Sequence, residues 1–339
     1  MSAPGEAEWR PWAPGAPGPL GTALGAAMAP LGWVYGTLAA RGLRRRPRAA
    51  PRPTICVGSP VAGGAGKTPT ALSLARAARE RGLRAGFLSR GHGRRTPDPA
   101  SPVLVDPVRH PASEVGDEPL LLAAEGPVVV GTDRQRSAAV LAPLCDLIVM
   151  DDGFQSRRLR ADCWLLVVDG GRGVGNGRCL PAGPLRAPLH AQLDAADAVL
   201  VVDSGAGMEG AAKVAAAARA RGLPVHRGTI EATGDWRGRE VAAFCGLADP
   251  GKFRRTLERA GARVRAFRAF PDHHAFTRAD LRGLRAMAPD LPLVTTAKDA
   301  ARLGPEAPPH EVLEIELRLE DGAADALIDR ALGAHRDGA

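Results

Sequence analysis

Short, uninterrupted apolar runs dominate the middle of the chain. Thr54–Gly58 and residues 86–89, 127–130, 147–150, 164–168 and 198–202 are of this kind. Strands buried on both faces read this way, as in a parallel sheet covered by helices. Between them, residues 70–81 and 205–222 are rich in Ala and Leu and predict helices. A second set of shorter apolar runs follows at 241–245, 264–267, 293–295 and 312–315. The pattern predicts an α/β protein: a doubly wound parallel sheet followed by a second, smaller α/β lobe. The expected break lies near residue 205.

The first forty residues differ from the rest. No charged side chain occurs between Pro11 and Ala40, and Leu20, Leu24, Met28, Leu31, Val34 and Leu38 recur at spacings of three and four. That is a helical stripe. Trp9, Trp12, Trp33 and Tyr35 share the region, and Arg41, Arg44, Arg45, Arg46 and Arg48 follow it. An apolar helix with aromatic residues and a basic edge is how a chain rests on an anionic membrane surface. Packing of this helix on its own domain is the plainer alternative. The positive cluster follows the apolar run, which argues against a cleaved signal peptide. Pro47 to Pro53 reads as a linker. The expected organisation is a membrane-associated segment at 1–50, a nucleotide-binding domain at 51–205 and the second lobe at 206–339.

Composition adds two points. The formal net charge is +8, but of 45 Lys and Arg residues only Lys67, Lys213, Lys252 and Lys298 are lysines. An arginine bias of this kind suits a solvated surface, and no recognisable nucleic-acid module accompanies it. Where lysine is scarce, a lysine inside a motif carries more information. The five cysteines are scattered without a C-x-x-C pair, which fits a reducing compartment and excludes a disulfide framework.

The strongest local signal is the loop Gly58-Ser59-Pro60-Val61-Ala62-Gly63-Gly64-Ala65-Gly66-Lys67-Thr68-Pro69, between a strand and a helix. Small residues let backbone N–H groups face phosphate oxygens, and the helix adds its positive end. The loop is expected to bind a nucleotide, with Lys67 on the β and γ phosphates and the Thr68 hydroxyl on Mg²⁺. Val61 stands where glycine is usual. Asp151 and Asp152, after an apolar strand, are the expected carboxylates for the metal. Gly116-Asp117-Glu118-Pro119 is a second acidic turn, with Pro119 expected to hold Glu118 extended. His273 and His274 cannot both point the same way, so they make a poor metal pair. One of them could orient a carboxylate base or cap a helix starting near Thr277.

Taken together, these segments resemble the tetraacyldisaccharide 4′-kinase family of lipid A biosynthesis. The resemblance runs in order through Pro30-Leu31-Gly32-Trp33-Val34-Tyr35-Gly36, the glycine-rich loop, Ser89-Arg90-Gly91-His92-Gly93-Arg94, the Asp117 turn and Asp133-Arg134. It continues through Asp151-Asp152-Gly153-Phe154-Gln155, Gly175-Asn176-Gly177-Arg178, Leu180-Pro181-Ala182-Gly183-Pro184-Leu185-Arg186, Gly246-Leu247-Ala248-Asp249-Pro250, Asp272-His273-His274 and Thr296-Ala297-Lys298-Asp299. The Asp-Asp-Gly-Phe-Gln and Leu-Pro-Ala-Gly-Pro-Leu-Arg strings are the specific ones.

The resemblance implies a kinase of two α/β/α lobes with an N-terminal membrane helix, on the cytoplasmic face of the inner membrane. It would move the γ-phosphate of ATP to the 4′-hydroxyl of an acylated disaccharide lipid, as a monomer. Asp117 would be the general base, helped by His273. Thr68, Glu118, Asp151, Asp152 and Gln155 would arrange Mg²⁺ and its waters. Ser156, His92 and Ala187 depart from the family's usual His, Tyr and Glu, and bear on acceptor contacts and lobe packing. A competing reading is a nucleotide-dependent switch protein, for which Thr296-Ala297-Lys298-Asp299 is the only support. A nucleic-acid-dependent ATPase rests on net charge alone.

Overall fold

A computed structural model of the chain describes residues 26–45, 47–94, 96, 98–272, 274–304 and 306–337. Thirteen strands occur among them: β1 (Thr54–Gly58), β2 (Ala85–Ser89), β3 (Val103–Leu104), β4 (Val128–Val130), β5 (Leu147–Asp151), β6 (Cys163–Asp169), β7 (Ala198–Asp203), β8 (Val225–Ala232), β9 (Glu240–Cys245), β10 (Arg263–Ala269), β11 (Leu293–Thr296), β12 (Glu311–Leu313) and β13 (Ile315–Leu319). Nine form one sheet in the order β13-β8-β7-β6-β1-β5-β2-β4-β3; four form a second, β10-β9-β11-β12. In the large sheet only the edge strands β13 and β3 run antiparallel to their neighbours. The small sheet is parallel throughout.

Every residue of β1, β5 and β6 is buried, as their unbroken apolar runs require. Alternate side chains feed opposite faces. Ile55 and Val57 meet Leu74 of helix Lys67–Glu80 and Leu327 and Ile328 of helix Ala323–Asp337. Cys56 lies on the other face with Met150, Phe154 and Trp164. The five cysteines are unpaired.

The large sheet runs past the expected break at 205. β7, β8 and β13 all belong to it, and the last helix packs on its face. The second sheet is therefore an excursion from β9 to β12, after which the chain returns. The run at 312–315, expected as one strand, is divided between the two sheets: β12 ends in one and β13 begins in the other. The helix expected at 205–222 is shorter, Ala212–Arg219 after a single 3₁₀ turn. Gly205 and Gly207 hold φ of 92° and 79°, which no helix tolerates.

Near the N-terminus, helix Ala29–Leu43 docks on the segment 179–188. A Cβ at Gly32 would lie 2.9 Å from the Cys179 carbonyl oxygen, and one at Gly36 2.8 Å from Cys179 Sγ. The glycines that weaken the helix's hydropathy are what let it approach this closely. Leu31, Trp33, Val34 and Leu38 point outward, Trp33 with 73% of its surface exposed. The helix thus packs on its own domain through one face and leaves an apolar surface on the other. Among the described residues no helix is long and apolar enough to cross a membrane. Leu20 and Leu24 lie outside the described residues.

Candidate functional site

Open parallel sheets place their ligands at the C-terminal ends of their strands. Here those ends carry the loop after β1 and the acidic pair at the end of β5, and the second lobe contacts them there. Gly63 and Gly66 take left-handed φ of 99° and 91°, and Gly66 begins helix Lys67–Glu80. Pro69 sits in its first turn, where a missing N–H costs nothing.

The loop is strapped by a second segment. Ala62 donates its N–H to the Pro184 carbonyl at 2.9 Å, and Arg186 donates to that of Pro60 at 2.9 Å. Val61 pairs with Leu185 and is buried. That explains why a valine replaces the usual glycine: its side chain anchors the loop. The Gln192 amide donates to the Pro60 carbonyl at 3.1 Å, and that of Gln155 to Ser59 at 3.0 Å. The Leu-Pro-Ala-Gly-Pro-Leu-Arg string is thus the strap of the loop, and Asp-Asp-Gly-Phe-Gln is its floor. Ala187 is buried, and its carbonyl accepts from Gln192; Ser156 closes a local turn onto Gly153.

Four predicted residues converge at the loop's end. The Thr68 hydroxyl donates to Asp151 Oδ2 at 3.4 Å, and Lys67 Nζ lies 3.8 Å from Asp152 Oδ2. Asp151 Oδ1 is buried with no hydrogen-bond partner. Burial pushes the Asp151 carboxyl up to about 7, the Glu118 charge adds to the rise, and Lys67 opposes it. Asp152 behaves oppositely. Burial would raise it, but Lys67 and Arg186 outweigh burial and hold it below the usual range. Asp152 has a φ of 54°, a left-handed conformation that Asp tolerates better than most residues. Gln155, expected near the metal, has its amide nitrogen on Ser59 and Gln192 and accepts from Arg186 at 3.3 Å. It braces the loop from behind.

Asp117 and Glu118 are not on an extended turn. They open the helix Asp117–Leu122, with Pro119 in its first turn, where proline is tolerated. Gly116, with a φ of 96°, makes the entry. Asp117 is 5% exposed, so this acidic turn is interior. Both carboxylates face the second lobe. Arg302 donates to Asp117, and Lys298 donates to Glu118. Burial would raise the Glu118 carboxyl, yet Lys298 and Lys67 hold it low; Glu118 in turn raises Lys298 against burial. A third contact joins the lobes. Lys252 donates to the Gly64 carbonyl at 3.1 Å and lies 2.5 Å from Asp169 Oδ2.

His273 lies outside the described residues. His274 is structural: its ring stacks on Phe270, and Nε2 meets Asp280 Oδ2 at 3.0 Å. Asp280 and Thr277 form the capping box of helix Arg278–Met287, the start expected near Thr277. Thr296-Ala297-Lys298-Asp299 is not a base-reading element. Asp299 accepts from the Gly246 N–H at 3.0 Å and the Thr296 hydroxyl at 2.7 Å, while Lys298 turns to Glu118. That removes the one sequence support for a switch protein. Arg186, Lys252, Asp169 and Arg302 received no role from the sequence, nor did Arg134, which is buried and donates to the Asp151 carbonyl at 3.3 Å.

Residues 24–333 match the family described as Tetraacyldisaccharide-1-P 4′-kinase. The tetraacyldisaccharide 4′-kinase of Methylobacterium nodulans is 50% identical over 318 residues, covering 91% of this chain and 92% of its own. That of Rhizobium meliloti is 45% identical, with 91% and 92% covered. A crystal structure of the "apo" form of the Aquifex aeolicus protein in complex with ATP superposes with a TM-score of 0.69 at 26% identity, covering 92% of this chain and 99% of that one.

Proposed function

The chain belongs to the tetraacyldisaccharide 4′-kinase family, the ATP-dependent kinases of lipid A biosynthesis, and from that premise we propose that Asp117 is the base in its reaction. The γ-phosphate of ATP passes to the 4′-hydroxyl of a tetraacyldisaccharide 1-phosphate. The observation that supports the assignment is the burial of Asp117 at the lobe junction, beside a Glu118 carboxyl that feels the charges of both Asp117 and Lys67.

Val61, Ala62, Gly63, Gly64, Ala65, Gly66, Lys67 and Thr68 act as a P-loop, with backbone amides on the phosphates and Lys67 neutralising their charge. The acceptor hydroxyl gives its proton to Asp117 as its oxygen bonds to the γ-phosphorus. The bond from that phosphorus to the bridging oxygen breaks, and ADP leaves. His273 assists Asp117 on the strength of its motif. A hydroxyl is a weak nucleophile, so most of the acceleration comes from placement and charge neutralisation.

The donor set fits a Mg²⁺ ion. Asp151 Oδ1 is an unpartnered buried oxygen, Thr68 offers a hydroxyl beside it, and Glu118 lies near enough to raise the Asp151 carboxyl. Among the described residues no three His, Cys, Asp or Glu side chains converge on one point. Mg²⁺ characteristically takes one or two carboxylates, and phosphate and water supply the rest. Bound there, it would neutralise phosphate charge; Asp152 and Gln155 would orient its surroundings.

Helix Ala29–Leu43 rests on the cytoplasmic face of the inner membrane through Leu31, Trp33, Val34 and Leu38, with Arg41, Arg44 and Arg45 at the headgroups. The acceptor's acyl chains then reach the site without leaving the bilayer. Incubation with γ-labelled ATP and a tetraacyldisaccharide 1-phosphate tests the function. Label appears in the lipid on this account, and label released only as inorganic phosphate contradicts it.

A further inference from the structure

Lys252 is one of four lysines in the chain and belongs to the second lobe, yet it ends on the phosphate loop of the first. It sits in the first turn of helix Pro250–Arg259, where Asp249 caps its N–H. Its ammonium bridges the Gly64 carbonyl and Asp169 Oδ2. Asp169 is itself fixed: it is buried at the end of β6, accepts the Ser204 hydroxyl at 2.8 Å and accepts the Arg172 N–H at 2.8 Å. The same helix holds the large sheet at its far end, where Arg259 donates to the Ile230 carbonyl at 2.6 Å.

The Gly64 carbonyl matters because of what lies across the peptide. In a planar trans peptide the C=O of one residue and the N–H of the next point opposite ways. A cation holding the Gly64 oxygen on one side therefore turns the Ala65 N–H to the other. Packing does not do this at Gly64: a Cβ built there would meet nothing within 4 Å. Ala65 is buried, so the freedom left is rotation of the peptide between the two residues.

We propose that Lys252 is a positioning residue of the second lobe that fixes the Gly64–Ala65 peptide, so that the phosphate loop is set for ATP only while the lobes are docked. The inference rests on the P-loop reading above and adds a residue outside the loop's sequence. Loss of Lys252 leaves the peptide free to rotate, and nucleotide binding then bears the cost of ordering it.

The test compares the full-length wild type with Lys252→Met and Lys252→Arg. ATP affinity is measured by calorimetry with Mg²⁺, alongside kcat, the KM for ATP and the thermal midpoint without nucleotide. Lys252→Met is expected to bind ATP roughly tenfold more weakly, the worth of one charge-assisted hydrogen bond. KM rises in step, kcat falls much less, and Lys252→Arg recovers most of the affinity. Amide exchange over residues 59–66 quickens in nucleotide-free Lys252→Met. ATP affinity within twofold of wild type overturns the proposal, as does a fall in kcat at unchanged affinity. Should Lys252→Met fail to fold, Lys252→Gln takes its place under the same criteria. A wild type that binds no ATP would instead defeat the P-loop reading itself, so the two failures are distinguishable.

Discussion

Arg186 grips Asp152 with both arms of its guanidinium, Nη1 to Oδ1 at 2.7 Å and Nη2 to Oδ2 at 3.1 Å. One residue ends the loop's strap and the other belongs to its floor, so the two most distinctive strings in the sequence meet in an ion pair. A lysine cannot reproduce a planar fork. Arg186→Lys should keep the fold, by circular dichroism, and lower kcat/KM by about tenfold, the loss of one of two charge-assisted hydrogen bonds. Full activity in Arg186→Lys would reduce the pair to a surface contact.

Lys298 and Glu118 join the lobes beside the site, each with about a quarter of its side chain exposed. Removing either leaves the other charge poorly compensated. Lys298→Met and Glu118→Gln should each be destabilising, and the double variant should be more stable than their summed effects imply. The coupling energy is expected to be about 1 kcal/mol, discounted for this exposure. Denaturant titration of the four proteins measures it, and additivity would contradict the linkage.

Asp151 carries a pH signature. Its folded-state carboxyl is raised to about 7 from an ordinary 3.8, chiefly by burial. A raised carboxyl binds its proton more tightly when folded. Its contribution to stability is therefore fully present below about pH 4 and is lost as pH rises through about 7. In nucleotide-free protein with chelator, Asp151→Asn removes this dependence. The thermal midpoint of the variant relative to wild type should be higher at pH 8 than at pH 5. A gap independent of pH would show that Asp151 does not titrate in this window.

Much of this was legible in the residues. Continuous apolar runs located β1, β5, β6 and β7, because a strand covered on both faces has no polar positions to blur it. β8 is obscured because His226, Arg227 and Thr229 interrupt its apolar pattern, and β13 because it is an edge strand with charged residues on alternate positions. The lobe boundary was hidden for the same reason. Within the site, the scarcity of lysine is a usable signal: Lys67, Lys252 and Lys298 all pair with carboxylates around the loop and the lobe junction. Arg302 offered no such signal, being one arginine in a chain crowded with them.

The exposed face of helix Ala29–Leu43 can be tested without disturbing its buried side. Leu31→Ser, Trp33→Ser and Leu38→Ser alter outward side chains only. The triple variant should keep its thermal midpoint and lose sedimentation with anionic liposomes by more than tenfold. Several apolar side chains leaving the interface carry that much energy. Equal sedimentation would leave the helix a packing role alone.

Asp117 is proposed to take the proton from the acceptor. Its most direct test is single-turnover phosphate transfer by Asp117→Asn, with the lipid product read by mass spectrometry and ATP affinity measured on the same preparation. ATP affinity should be unchanged and transfer slowed by roughly 10²–10⁴, the usual contribution of a positioned base. Transfer at the wild-type rate would contradict it.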